Sequence, residues 1–272
     1  MNRVTSSDGT TIAFDRSGDG PAVILVGGAM SYRAFPGFLK LAGLLADNFT
    51  VINYDRRGRG DSGDTAPYAV EREVEDLGAV IDAVGGSASV WGTSSGAVLA
   101  LEAAASGLNI EKLALFEPPF MVDAGGMRPP ADHEARLKKM IAADRRDEAV
   151  KFFLKNMGAP AIAVAVMRLM PFWSRFRAVA HTLPYDAAVM GDYSLPADRI
   201  ASVTVPTLVI DGEKSDARLR HAARAVTDAL PDGRLCMLKG QSHNVSMKVL
   251  APVLADYFGA RIGTPSGTPS AI

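Results

Sequence analysis

The chain has 272 residues, of which 48% are hydrophobic, enough to build the core of one large α/β domain with an insertion. Its 29 Lys and Arg residues nearly balance 30 Asp and Glu residues, and the net charge of −1 predicts neither nucleic acid nor an anionic membrane as a partner. With a single cysteine, the chain cannot form an intramolecular disulfide. The sequence shows no secretory-signal pattern, and no apolar run approaches the roughly 18 residues that a membrane span requires. We therefore expect a cytoplasmic protein.

The first 86 positions alternate between strand-like and helix-like segments. A hairpin is predicted at the N-terminus, because Asp8-Gly9 separates the first two strand-like segments and Asp-Gly favours tight hairpin turns. Ala22–Val26 is a continuous apolar run, which is typical of a strand buried on both faces of a parallel sheet. The predicted strands lie at 2–6, 11–15, 22–26 and 50–54, and the predicted helices at 38–46 and 70–84.

The motif Gly92-Thr93-Ser94-Ser95-Gly96 follows the apolar run Ser87–Trp91 and precedes the helix-like segment Ala97–Ser106. Gly-x-Ser-x-Gly between a strand and a helix is the sequence of a nucleophile elbow, a sharp turn that exposes the central serine hydroxyl. Bulky residues two positions from the serine would collide in such a turn, so glycine is needed there. The N–H of Ser95, at the start of the helix, can then face a developing oxyanion.

The alternation breaks after a predicted strand at 112–116. Residues 121–200 are predicted to be mostly helical and without a confident strand, so we expect them to form a cap inserted into a core made of residues 1–120 and 201–261. Strands at 207–210 and 234–238 and helices at 219–230 and 249–258 resume the alternation. The Gly-Thr-Pro-Ser repeat in the tail 262–272 has no apolar anchor and is expected to be disordered.

A serine hydroxyl needs a base within hydrogen-bond reach to act as a nucleophile, and the base needs an acid to orient it. His243 follows the strand 234–238, and open α/β sheets place their active sites at the carboxyl ends of the strands. His243 is therefore the predicted base. His221 lies in a charged helical stretch and reads as a surface residue, and the remaining two histidines lack partners at metal-ligand spacing, so no metal site is predicted.

Three carboxylates compete for the role of the acid. Asp216 follows the strand 207–210 at the same sheet edge as His243 and is the predicted acid. Asp211 is closer to that strand and can instead be a buried turn residue. Glu117 ends the neighbouring strand just before two prolines and is the alternative acid, although it can simply bond backbone groups.

The chain order Ser94, Asp216, His243 resembles that of the α/β-hydrolase fold superfamily. The resemblance covers the whole chain except the tail and is highly specific. It rests on the elbow motif, Asp55-x-Arg57-Gly58-x-Gly60-x-Ser62, Pro206-Thr207-Leu208-Val209-Ile210 with Gly212 to Asp216 after it, and Gly240-x-x-His243.

This resemblance implies a mostly parallel sheet covered by helices on both faces, with an inserted helical cap over the active site. It also implies an oxyanion hole formed by the N–H groups of Ser95 and, by position, Ala29. One feature departs from the family pattern: relatives usually carry His-Gly after the third strand, whereas this chain has Gly27-Gly28. The N–H of Ala29 belongs to the backbone and does not depend on a histidine side chain, so the oxyanion hole should be kept. The packing of the usual histidine is lost, and an extra opening beside the nucleophile becomes possible. Arg57 is expected to tie loops together rather than to grip a substrate carboxylate.

The resulting hypothesis is a serine hydrolase that cleaves a small, apolar ester or lactone through an acyl-enzyme on Ser94, without a cofactor. The same triad also serves carbon–carbon bond hydrolases and cofactor-free peroxidases of this superfamily, and a small-molecule receptor with little turnover is the alternative outside enzymes. The insertion carries seven of the eleven methionines, which can form either an apolar roof over the substrate or the insertion's own core. The partner is expected to be a small-molecule substrate, and the oligomeric state is left open.

Overall fold

The computed structural model describes residues 1–123 and 128–259, and the predicted disordered tail lies outside these residues. Eight strands form one sheet. In chain order they are β1 (Asn2–Thr5), β2 (Thr11–Ser17), β3 (Ala22–Val26), β4 (Thr50–Tyr54), β5 (Ala88–Thr93), β6 (Ile110–Phe116), β7 (Thr207–Gly212) and β8 (Gly233–Leu238). Their order across the sheet is β1-β2-β4-β3-β5-β6-β7-β8. β1 and β2 pair antiparallel with their neighbours and all other pairs are parallel.

Eleven α-helices connect or cover these strands within the described ranges. They are α1 (Pro36–Leu45), α2 (Val70–Ala83), α3 (Ser95–Ala105), α4 (His133–Ala142), α5 (Arg146–Asn156), α6 (Ala161–Met167), α7 (Trp173–Ala178), α8 (Leu183–Met190), α9 (Ala197–Ala201), α10 (Ala217–Ala229) and α11 (Met247–Gly259). A 3-10 helix, Ala180–Thr182, precedes α8. No helix in the described ranges combines the length and apolar character needed to cross a membrane.

The inner strands β3 to β7 are mostly buried on both faces, as their apolar sequences predict, whereas the edge strands β1 and β8 are largely exposed. In β3, Val23 and Leu25 pack in the apolar layer formed with α1 and α11, whereas Ile24 and Val26 pack in the opposite layer with α2, α3 and α10. Alternate residues of one strand point to opposite faces, so a strand between two helical layers must be apolar throughout. The predicted α/β-hydrolase architecture is confirmed, including the N-terminal hairpin.

The segment 121–200, which we call the inserted segment, lies between β6 and β7 in the chain. All the regular secondary structure in its described residues is helical. Its helices have an apolar cluster of their own, which includes Leu137, Val150 and Trp173. Met30, in the loop after β3, joins that cluster, and α8 packs on α3 of the core. The inserted segment therefore contacts the core at the loop and helix that flank Ser94.

Arg57 is fully buried and ties three parts of the chain together. Its guanidinium donates to both carboxylate oxygens of Asp76 in α2 at 2.7 Å, to Asp8 in the N-terminal turn at 2.9 Å, and to the carbonyl oxygen of Arg72 at 3.0 Å. These bonds satisfy the guanidinium within the fold, in agreement with the structural role predicted for this residue.

Candidate active site

Ser94 lies at the junction of β5 and α3 in a strained backbone conformation, with φ 54° and ψ −127°. The flanking glycines are required by space. A Cβ added at Gly92 would lie 2.5 Å from the carbonyl oxygen of Gly96, and one added at Gly96 would lie 2.4 Å from that of Val26. Those contacts are with backbone atoms and cannot relax by side-chain rotation. The motif thus forms the predicted elbow, and α3 begins directly after the serine.

His243 follows β8 and donates from Nδ1 to a buried carboxylate. Its Nδ1 lies 2.6 Å from Oε2 of Glu117, whose side chain is 0% exposed, whereas the histidine side chain is 45% exposed. The other oxygen, Oε1, accepts a 2.8 Å hydrogen bond from the backbone N–H of Gly212. With Nδ1 donating to the carboxylate, Nε2 is left as the acceptor of the imidazole. This tautomer is the one that a general base requires.

The structure corrects the choice of Asp216 as the carboxylate beside the histidine. Asp216 caps the N-terminus of α10, and its Oδ1 accepts from the backbone N–H of Arg218 at 2.9 Å. The Arg218 guanidinium also donates to the same carboxylate at 3.0 and 3.1 Å, and these hydrogen bonds hold the pKa of Asp216 below its usual value. The carboxylate is thus engaged at the helix N-terminus, and Glu117, the alternative acid, contacts the imidazole.

Two local features bring Glu117 to this position. Its φ is 48°, so the chain turns sharply where β6 ends, and its N–H donates to the carbonyl oxygen of Ile210 in β7. The sequence signal for Glu117 was a carboxylate at the end of a strand, directly before two prolines. Asp211 is buried, as its competing interpretation predicted, but it lies within β7 and not in a turn. Burial and the nearby charge of Glu117 raise its pKa.

The loop after β3 lies directly against the elbow because it contains Gly28. A Cβ at Gly28 would lie 2.8 Å from the carbonyl oxygen of Thr93 and 3.0 Å from Cβ of Ser94. At Gly27, an added Cβ would lie 2.2 Å from Oγ of Ser31 and 3.3 Å from the Phe38 ring. Those two side chains occupy the space into which a side chain at position 27 would extend.

Replacing Gly28 with alanine should lower kcat/KM by about tenfold to a hundredfold, because the new methyl group must push the loop away from the elbow and small displacements of catalytic groups are costly. Gly43→Ala is the matched control. Gly43 is an exposed helical residue with nothing within 4 Å of an added Cβ, so the variant should keep wild-type kinetics. Steady-state ester kinetics on both variants check the prediction. Equal activity of the two would show that the close approach at Gly28 is unimportant.

A cavity of about 910 Å³ contains the predicted catalytic residues Ser94 and His243 in its lining, together with Ala29 and Ser95. The N–H of Ala29 makes no hydrogen bond within the described residues and is available to a ligand. Much of the remaining wall is apolar and comes from the inserted segment, through Met121, Phe153, Leu154, Met157, Met167, Phe176 and Met190. The inserted segment therefore supplies both part of the cavity wall and, through its separate apolar cluster, a core of its own.

The other methionines and histidines of the inserted segment have different surroundings. Met140 packs in the segment's own apolar cluster and Met170 is exposed, while Met127 lies outside the described residues. His133 is buried and stacks on Phe152, with ring centroids 5.1 Å apart. Beyond the segment, His221 pairs with Asp123 on the surface at 2.9 Å, in agreement with its predicted surface role.

Sequence analysis missed a buried group of charges beside the elbow. Arg56, Arg59 and Glu73 are each at most 2% exposed, and Asp186 of α8 is 1% exposed. Arg56 pairs with Glu73 and Asp186, Arg59 pairs with Asp186, and Ser95 donates its hydroxyl to Asp186 at 2.8 Å. The available signal was the arginine pair flanking Arg57 in the motif, which lies directly after a buried strand.

Comparison with known proteins places these features in one family. A sequence model of the alpha/beta hydrolase family matches residues 22–252. The crystal structure of an alpha/beta hydrolase from Sphaerobacter thermophilus is 55% identical over 94% of this chain and 100% of that one, with a TM-score of 0.90.

More distant structures share the fold. A hydrolase from Pseudomonas aeruginosa is 24% identical over 95% of this chain and 98% of its own, with a TM-score of 0.73. An esterase from Exiguobacterium antarcticum is 19% identical over 95% of this chain and 99% of its own, also with a TM-score of 0.73. The family match spans most of the chain, including the elbow, Glu117 and His243, and this chain belongs to the alpha/beta hydrolase family.

Proposed function

We propose that this protein is a serine hydrolase that cleaves a small, largely apolar ester or lactone through an acyl-enzyme on Ser94. The observation that carries the proposal is the convergence of the strained Ser94 and the His243–Glu117 pair on one cavity with apolar walls. A strained, glycine-flanked serine is costly to the fold and is the arrangement that exposes a nucleophile.

In the proposed reaction, Oγ of Ser94 attacks the substrate carbonyl carbon while Nε2 of His243 takes its proton. The N–H groups of Ala29 and Ser95 donate to the resulting oxyanion, and the N-terminal end of α3 adds a favourable dipole. The tetrahedral intermediate collapses, and the leaving alkoxide takes the proton from His243. Water then attacks the acyl-enzyme by the same steps, which releases the acid and restores Ser94.

Glu117 has two tasks in this scheme. It holds the imidazole in the tautomer that leaves Nε2 free, and its carboxylate offsets the positive charge that develops on the ring. Its burial strengthens both effects, because water does not screen the electrostatic interaction between the carboxylate and the imidazole. We also propose that the inserted segment acts as a cap that shapes the substrate pocket, which is supported by its share of the cavity wall.

The proposal is tested with p-nitrophenyl esters of graded acyl length, a set of lactones, and a fluorophosphonate probe. The wild-type protein should hydrolyse at least one substrate class catalytically, and mass spectrometry should find the probe on Ser94. Small-molecule binding that raises the melting temperature without turnover or labelling would contradict the proposal and favour a receptor. The variant with Ser94 replaced by alanine controls for hydrolysis by a contaminant.

The cap proposal predicts that Met167→Ala changes chain-length preference. Met167 lines the cavity, so its truncation should raise the kcat/KM of a longer acyl chain relative to a short one by about threefold to tenfold, since each buried methylene contributes roughly 0.8 kcal/mol. Met170→Ala is the control, because Met170 belongs to the same segment but is exposed. The ratio of kcat/KM for two esters is the measurement. An unchanged ratio in Met167→Ala would show that this part of the segment does not contact the acyl chain.

A further inference from the structure

We propose that Asp186, which the inserted segment contributes through α8, is a positioning residue that orients both N–H donors of the oxyanion hole. The inference rests on the proposed function, in which Ala29 and Ser95 supply those donors. Asp186 itself is 1% exposed, although it borders the cavity that contains Ser94. It acts through a seryl hydroxyl on one side and an arginine on the other.

The first connection runs to the residue that follows the nucleophile. Oδ1 of Asp186 accepts a 2.8 Å hydrogen bond from the hydroxyl of Ser95, which begins α3. The side chain of Ser95 thereby anchors the first turn of this helix to α8, and its own N–H belongs to that turn. A hydrogen bond to a charged acceptor is stronger than one between neutral groups, so this anchor restrains the donor well.

The second connection runs to the loop after β3. Nη2 of Arg59 lies 2.8 Å from each carboxylate oxygen of Asp186, and Nη1 of the same guanidinium donates to the carbonyl oxygen of Gly28 at 2.6 Å. The Gly28 carbonyl and the Ala29 N–H belong to one planar peptide group, so fixing the oxygen also fixes the direction of the N–H. A cationic donor at the oxygen also polarises the peptide and makes its N–H a stronger donor.

A third connection closes the group. Nη1 of Arg56 donates to Asp186 at 2.9 Å and to the carbonyl oxygen of Gly27 at 3.1 Å, while Glu73 binds the other side of the Arg56 guanidinium with two bonds of 2.6 Å. The two arginines and two carboxylates balance in charge. Burial opposes ionisation of Asp186, but Arg59 and Arg56 outweigh it and hold its pKa below the usual value.

The arrangement of donors separates this group from a purely structural ion pair. Buried ion pairs by themselves are weak evidence for a contribution to stability. Here the arginines also direct N–H groups at two consecutive carbonyl oxygens of the loop, Gly27 and Gly28, while Ser95 contacts the same carboxylate. One side chain of the inserted segment thus connects to both halves of the oxyanion hole, so docking of α8 and the geometry of the hole are coupled.

Two substitutions test the inference, one that removes a single hydroxyl group and one that removes the charge of Asp186. Ser95→Ala removes only the hydroxyl and keeps the backbone donor, and should lower kcat about threefold to tenfold. Asp186→Asn removes the charge and should lower kcat about tenfold to a hundredfold, below the loss that follows complete removal of an oxyanion-hole donor. Asp76→Asn is the matched control, since Asp76 is also 1% exposed and pairs with a buried arginine, Arg57, outside this group.

The decisive readout is the affinity for a trifluoromethyl ketone of the best ester substrate, because its adduct with Ser94 carries the oxyanion. In Ser95→Ala and Asp186→Asn this affinity should fall by the same factor as kcat, while KM stays within about threefold. In Asp76→Asn the melting temperature should fall without a matching loss of analogue affinity. If Asp186→Asn does not fold, Ser95→Ala decides the test.

The assignment would be overturned if Ser95→Ala kept the wild-type kcat and ketone affinity and if, where both fold, Asp186→Asn and Asp76→Asn had equal kcat and equal ketone affinity. Asp186 would then only stabilise the fold. That result is distinct from a wild-type protein that neither hydrolyses esters nor binds the ketone. The latter would overturn the proposed function and the positioning role together.

Discussion

Replacing Ser94 with alanine should lower kcat by about 10⁴-fold or more, which is the usual consequence of removing a triad member. The hydroxyl contributes chemistry and little packing, because it faces the cavity rather than the core. The backbone around it is held by its N–H, which donates to the carbonyl oxygen of Phe116 at 2.9 Å, and this bond does not depend on the side chain. The melting temperature and substrate affinity should therefore stay close to those of the wild type.

Burst kinetics with a p-nitrophenyl ester and labelling by a fluorophosphonate measure this effect. Ser242→Ala is the control, since Ser242 also lines the cavity but lies outside the strained turn. It should retain labelling and a kcat within about twofold of the wild type. If the fluorophosphonate modified Ser95 or Thr93 in the wild-type protein and left Ser94 unmodified, the assignment of Ser94 as the nucleophile would be wrong.

Replacing Glu117 with glutamine should lower kcat by about 10³–10⁴-fold. The glutamine amide can present N–H groups to Nδ1, which favours the wrong tautomer, and it cannot offset the charge of the imidazolium. The amide oxygen can still accept from the N–H of Gly212, so the fold should survive the change. Circular dichroism and the melting temperature separate a catalytic loss from unfolding.

Asp216→Asn is the matched comparison, and its effect on kcat should be less than about threefold. Asparagine is as good an N-cap as aspartate, so α10 keeps its cap. The lost ion pair with Arg218 is partly exposed, and such pairs contribute about 0–1 kcal/mol. Both variants are measured on one ester at one pH. A severe loss in Asp216→Asn beside a mild one in Glu117→Gln would return the role of the acid to Asp216.

The local sequence was sufficient for the order of the elements and for placing Ser94 in a sharp turn between a strand and a helix. The continuous apolar runs are typical of strands covered on both faces, and the break in alternation after β6 marked the inserted segment. The elbow was equally predictable. Gly92 and Gly96 are required because a side chain there would collide with backbone atoms a few residues away or in and next to the adjacent β3. The need for both glycines can therefore be understood from the local geometry of the turn.

Which carboxylate contacts His243, and which residues form the group around Asp186, were decided only by the tertiary structure. Sequence analysis brought both Asp216 and Glu117 to the same sheet edge, but the capping bonds of Asp216 and the turn at Glu117 determine which carboxylate contacts His243. Arg59 and Asp186 are 127 positions apart, and no local pattern pairs them. Burial forces each buried charge to find a partner, but only the packed fold determines which partner is within reach.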